Sequence, residues 1–185
     1  VEEVFSDLGH FLAEHPHLYI SINLSATDFH SSRLIAMISE KARHYAVRAQ
    51  QIKIEVTERG FIDVPKTTPV IQAFRQAGYE VAIDDFGTGY SSLSRLSRLA
   101  FDKIKIDKSF VNSLATQEDA LNIIKLITGV AKSLNMKAIA EGVETQEQLE
   151  SLQALGCDFA QGYLFSKPQP YIAAEIKHGK QSIPT

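Results

Sequence analysis

The chain has 185 residues, 44% of them hydrophobic and 22% charged, with a net charge of -3 and one cysteine. That length supports one sizeable hydrophobic core, and the slight acidic balance argues against a nucleic-acid polymer as partner, which would select a basic stripe. A lone Cys157 excludes an intrachain disulfide and a thiolate zinc site and fits a reducing, cytoplasmic setting; no apolar run reaches the roughly 18 residues of a membrane span, so this segment makes no membrane contact even if a longer parent is anchored.

Residues 1–14 place Val1, Val4, Phe5, Leu8, Phe11 and Leu12 at helical spacing and predict a helix that stops before Pro16. Opening inside a helix points to a piece of a longer chain. In 18–25, Ile20, Ile22 and Leu24 alternate with Ser21, Asn23 and Ser25, the period of a strand. A helix over 33–47 precedes a second alternating run, 51–58, with Ile52, Ile54 and Val56 on one side and Lys53, Glu55 and Thr57 on the other. Helix 70–76 ends at Gly78, and strand 81–83 then runs into the adjacent carboxylates Asp84 and Asp85 and a loop through Phe86, Gly87 and Gly89. Next come a short helix over 91–99 and a strand over 101–107, where Ile104 and Ile106 oppose Lys103, Lys105 and Asp107. Helix 118–134 and strand 136–143 follow. Thr145 with Gln148 three residues on reads as a capping box opening a helix that ends near Gly156, and strand 159–165 is closed by Pro168 and Pro170.

Strand and helix thus alternate six times, the pattern of a parallel α/β sheet. Asn23, Glu55, Asp84, Lys105, Glu141 and Gln161 all fall late in their strands and in phase. In a (β/α)8 barrel that is the C-terminal mouth, where active sites of this architecture sit. A doubly wound sheet would show a glycine-rich phosphate turn after its first strand, which is absent. Two like charges about 4 Å apart repel by roughly 4 kcal/mol at an effective dielectric of 20, so a set of acids meeting in one cavity calls for a cation. Asn23, Glu55, Asp84, Asp85 and Glu141 offer oxygen alone, which suits magnesium, manganese or calcium rather than zinc. Two such ions about 3.5 to 4 Å apart activate water and neutralise charge on phosphate oxygens, and Lys105 would assist; its plainer reading is a salt bridge to Asp84 or Asp107. Glu58 is a candidate to pin the 86–93 loop through backbone amides, Glu144 to orient Glu141, contact ligand or precede the next helix, and Gln161 to touch substrate or serve as a structural amide. The six histidines are not read as ligands.

N-L-S at Asn23, E-V-T-E at Glu55, D-D-F-G-T-G-Y-S-S at Asp84, K-I-D at Lys105, E-G-V-E-T at Glu141 and Q-G-Y-L-F at Gln161 together resemble the EAL-domain family of bacterial cyclic di-GMP phosphodiesterases. The resemblance implies a TIM-type barrel with about six of its eight strands in this chain, so that residues 1–185 are the C-terminal three quarters of one domain. It implies two Mg2+ or Mn2+ ions, with Ca2+ inhibitory, opening cyclic di-GMP to linear pGpG. Asn23, Glu55 and Asp84 would bind one ion, and Asp84, Asp85 and Glu141 the other. Lys105 would assist the water, Glu141 would act as base, Gln161 and Glu144 would contact substrate, and Glu58 would anchor a loop coupled to a homodimer interface.

The family's Glu-Ala-Leu segment, whose glutamate is a metal ligand on an early strand, does not occur in this sequence. The expectation is therefore a truncated piece, or a partner that supplies the missing strands by edge pairing. A catalytically silent module that still binds the nucleotide or a protein is the second reading, and an enolase-like barrel with Lys105 as proton-abstracting base is the third.

Overall fold

The computed structural model describes residues 1–29, 31–58, 63–87, 93–114 and 118–168. The chain divides into two compact units, Val1–Lys103 and Ile104–Thr185. In the first, helix α1 (Glu2–Glu14) leads to strand β1 (Ile20–Leu24), helices α2 (Ala26–Phe29) and α3 (Ser32–His44), strand β2 (Ile52–Thr57), helix α4 (Val64–Gln76), strand β3 (Glu80–Phe86) and helix α5 (Leu93–Leu96). Strand β4 (Lys103–Ile106) opens at the boundary, and α6 (Lys108–Asn112), α7 (Glu118–Ser133), β5 (Lys137–Ala140), α8 (Gln146–Ala154) and β6 (Phe159–Ala160) follow. No helix among the described residues is long and apolar enough to cross a membrane.

Pairing is parallel throughout the registers seen: β1 sets Asn23 opposite Glu55 of β2, β2 sets Thr57 opposite Asp84 of β3, and β5 sets Ala140 opposite Ala160 of β6. Sequence periodicity gives β2 one wet face, but Lys53 and Glu55 are buried along with Ile52, Ile54 and Val56. A parallel strand inside an α/β unit is covered on both sides, so its polar residues enter the interior and need partners. Lys53 finds one in Glu80 at 2.7 Å, and Lys103 meets the same carboxylate oxygen at 2.8 Å.

Several element boundaries depart from the sequence expectation, and those of α4, β6 and β5 have plain physical reasons. Helix α4 begins at Val64 rather than 70, because Asp63 accepts the Lys66 N–H at 3.3 Å and Pro65 sits in the first turn, where its missing donor is harmless. The last strand is only Phe159–Ala160, and Leu164 and Phe165 instead turn back, donating to Val143 O and Gly162 O. Strand β5 stops at Ala140, ahead of Gly142 with its φ of +69°. The capping box at α8 is present, with Thr145 accepting from Gln148 N–H and Gln148 accepting from Thr145 N–H.

Two aspartates fix strand register in the same way. Asp102 donates its N–H to Val81 O and accepts Val81 N–H, each at 2.9 Å; Asp158 donates to Ala138 O at 3.0 Å and accepts Ala138 N–H at 2.9 Å. Each carboxylate also holds a cation, Arg75 in one case and Lys137 in the other. Gln51, buried at the entrance to β2, donates through one amide nitrogen toward the carbonyls of Leu12, His15 and Leu18 and so ties the α1–β1 connection to the sheet. Cys157 is a core residue whose thiol is pushed up to about 12 by burial and by Asp158, which leaves it unreactive.

Burial alone would raise the Glu80 carboxyl, but the hydrogen bonds and charges of Lys103 and Lys53 outweigh it and hold the group below its ordinary value. A depressed carboxyl contributes stability above its unfolded value and loses it as pH falls through the folded value. Glu80→Gln is therefore expected to flatten the acid side of the stability–pH curve, by less than about 1 kcal/mol because the group remains partly hydrated. Urea midpoints measured between pH 3 and 7 check this, and an unchanged acid slope would refute it.

Candidate active site

In Val1–Lys103 the parallel register carries Asn23 and Glu55 to adjacent positions near the C-terminal ends of β1 and β2. Asp84 lies late in β3, one step along from them. One end of the Asn23 amide is 3.3 Å from Glu55 Oε2 and 3.2 Å from Asp84 Oδ2. Turned with its nitrogen inward, Asn23 donates to both carboxylates; turned with its oxygen inward, it completes a three-oxygen set that a cation makes favourable. Burial grades across the cluster, from Glu55 at 7% exposed to an exposed Asn23. The cluster thus has one buried wall and one wet rim.

Asp85 has a left-handed backbone, φ +52°, rare for a non-glycine residue and tolerated best by Asp and Asn. Such conformations cost on the order of 1–3 kcal/mol and collect at functional sites. Here it breaks the alternation of β3, so consecutive aspartates are not forced to opposite faces. Glu58, just past β2, is 8% exposed and accepts the Gly87 N–H at 3.4 Å through Oε1. Residues 88–92, the greater part of the loop expected to couple to a dimer interface, lie outside the described residues.

In Ile104–Thr185 the hub is Glu141. Its backbone N–H donates to Ile106 O at 3.2 Å, which sets it beside the end of β4. Its Oε1 receives Lys105 Nζ at 2.8 Å and Gln161 Nε2 at 2.7 Å. Lys105, 5% exposed, has Glu141 as a salt-bridge partner. Asp107 caps α6, accepting the Ser109 N–H at 2.9 Å and the Ser109 hydroxyl. Glu144 is exposed, and its backbone N–H donates to Gln148 Oε1 at 2.7 Å as part of the α8 cap.

Two glycines escaped the sequence reading. A Cβ on Gly142 would stand 2.6 Å from Lys108 Cβ, and one on Gly162 would meet the backbone of Val143. Each follows a polar strand-end residue directly, in E-G-V and Q-G-Y. Glycine after a strand-end acid or amide is the signal that marks a close backbone approach.

A model of the EAL domain matches residues 1–168. The chain belongs to the EAL domain family. Among curated proteins, this EAL chain is 43% identical over 170 residues to the "Probable cyclic di-GMP phosphodiesterase PdeB" of Escherichia coli (strain K12), covering 92% of this chain and 32% of that protein. The chain therefore spans about a third of that relative's length. Among solved structures, the EAL fold superimposes with a TM-score of 0.85 on "PaMucR Phosphodiesterase, c-di-GMP complex", at 35% identity over 92% of this chain and 70% of that one. It also matches Klebsiella pneumoniae BlrP1 in a manganese and cyclic di-GMP complex, TM-score 0.79 at 33% identity over 90% of this chain and 43% of that one. The expected α/β class, with six strands among the described residues, is that of these EAL structures.

The geometry of the first EAL cluster makes a direct prediction. Asn23→Asp replaces a donor with a third carboxylate, so it is expected to destabilise the chelator-treated protein by about 2 to 4 kcal/mol. Millimolar Mn2+ should recover most of that loss. Thermal midpoints in EDTA and in MnCl2 check it; equal losses under both conditions would argue against a cation at these oxygens.

Proposed function

We propose that this EAL chain is the catalytic segment of a cyclic di-GMP phosphodiesterase, hydrolysing one phosphodiester bond of the cyclic dinucleotide to give linear pGpG. The observation that carries the reading is the meeting of Asn23, Glu55 and Asp84 within hydrogen-bond distance. Relatives named or titled as phosphodiesterases, and complexes with cyclic di-GMP and a divalent ion, support it.

The residues fit a pair of hard divalent cations, Mg2+ or Mn2+, and Asn23, Glu55, Asp84, Asp85 and Glu141 would hold them. When bound, such ions supply Lewis acidity that activates water and offsets charge building on the phosphate. The chain's own residues do the remainder. Glu141 takes the proton from the attacking water, and Lys105 and Gln161 hold its carboxylate in place through Oε1. Lys105 also supplies a positive charge in a poorly hydrated setting, where it acts on a developing anion more strongly than in bulk water. Gln161 and Glu144 are the proposed substrate contacts, and Glu58 secures the entrance of the 86–93 loop through Gly87. A guanine-dinucleotide messenger as substrate places the domain in the cytoplasm, and a homodimer is the expected assembly.

The test is turnover in the full-length protein with cyclic di-GMP and Mn2+, following pGpG by chromatography. Metal-dependent turnover is expected, with Glu55→Gln and Asp84→Asn each lowering kcat/KM by more than about 100-fold. Binding without turnover would instead favour the silent nucleotide-binding module. Neither binding nor turnover would end both readings. Size-exclusion chromatography with light scattering should show twice the chain mass, and a monomer at all concentrations would remove the dimer.

A further inference from the structure

Glu141 has a conformational problem that its own backbone does not solve. The terminal torsion of a glutamate is broad and roughly two-fold, so rotamer preference leaves the carboxylate plane loosely set. Two donors converging on one oxygen define that plane, and here they are Lys105 and Gln161. Lys105 is held within β4. Gln161 lies beyond the last residue of a two-residue strand, so something else must place it.

That support is a backbone zip. Gln161 N–H donates to Ala140 O at 2.9 Å, Val143 N–H donates to Gln161 O at 3.0 Å, and Leu164 N–H donates to Val143 O at 3.0 Å. The two segments lie so close that a Cβ on Gly162 would stand 2.2 Å from Val143 O, 2.3 Å from Val143 N and 2.8 Å from Val143 C. Every one of those obstructing atoms is main chain. No neighbouring side chain can yield to make room, so any larger residue at 162 must push the 161–164 segment away. By contrast, Gly129 on α7 has open space where its Cβ would be.

We propose that Gly162 is a positioning residue for the phosphodiesterase reaction: its flush seat on Val143 holds Gln161 Nε2 against Glu141 Oε1, and through that contact sets how Glu141 presents its carboxylate. The inference rests on Glu141 acting as proposed above. The competing account is a turn glycine that matters for folding alone. The two differ in what happens to Gln161 and to kcat in molecules that remain folded. Relieving the clash requires a shift of about 1 Å, and a misplacement of that size costs on the order of 100-fold in rate.

The experiment compares Gly162→Ala, Gln161→Asn and Gly129→Ala in the full-length protein, below the melting transition of each. The first readout is the side-chain amide resonance pair of Gln161, assigned by its loss in Gln161→Asn. The second is kcat and KM for cyclic di-GMP with Mn2+. Gly162→Ala should move the Gln161 pair away from its wild-type position and lower kcat about 100-fold, with KM rising by less than kcat falls because Gln161 is also a proposed substrate contact. Gln161→Asn shortens the reach by one methylene and leaves the backbone seat intact, and should lower kcat similarly. The double variant should be no worse than either alone, and Gly129→Ala should change neither readout. Gly162→Ala with unmoved Gln161 resonances, or with wild-type kcat, overturns the proposal. Should Gly162→Ala not fold, Gln161→Asn with wild-type kcat overturns it equally. A wild-type protein without turnover defeats the phosphodiesterase reading, while the resonance comparison still decides whether Gly162 places Gln161.

Discussion

Carboxylates on adjacent parallel strands repel, and the chain must answer that repulsion before it can do anything else. Glu55 and Asp84 are brought together by a register that the rest of β1–β3 enforces, and Glu55 is nearly fully buried. Asn23 is the group of the protein itself that can answer either way, presenting an amide N–H to both carboxylates or an amide oxygen alongside them. An amide at that position can therefore meet the two carboxylates with either of its ends. The same economy recurs at Glu141, where Lys105 and Gln161 both serve one oxygen. In each case a buried or half-buried acid is tolerated because a neighbouring strand end supplies a matched donor, which is how an interior carboxylate avoids an uncompensated desolvation cost.

What was legible in the sequence follows from how local the signal is. The period-two alternation of Ile20–Leu24 and the positions of Asn23, Glu55 and Asp84 within their strands set which residues could share a face, and in the fold those three do meet. The α8 capping box was legible because Thr145 and Gln148 are three residues apart and complete each other. Lys105 was harder. Its strand and phase could be read, but that it also meets Glu141 depends on where the segment after β5 runs, which no local pattern gives.

Other misreadings have equally specific causes. The burial of Lys53 was hidden because an alternating lysine looks like a solvent residue until Glu80 is seen beside it. Helix α4 starts earlier than its apolar pattern shows because Asp63 caps it and Pro65 sits in the first turn, while Pro69 lies inside the helix and is tolerated there. The last strand was drawn too long because F-A-Q-G-Y-L-F is apolar and aromatic throughout, whereas Gly162 lets the chain fold back on Val143 after two paired residues.

The aspartate clasps at Asp102 and Asp158 sit at the starts of β4 and β6, whereas Asn23, Glu55, Asp84 and Glu141 sit at the far ends of their strands. Each clasp thus pins a strand at its start, away from the polar side chains at the far end. Such a division lets the mouth loops diversify, lengthen or acquire new partners over evolutionary time with little risk of a strand slipping by one residue and inverting every side chain it carries. A strand clasped in this way keeps its side chains on their own faces whatever is attached to the loop beyond it.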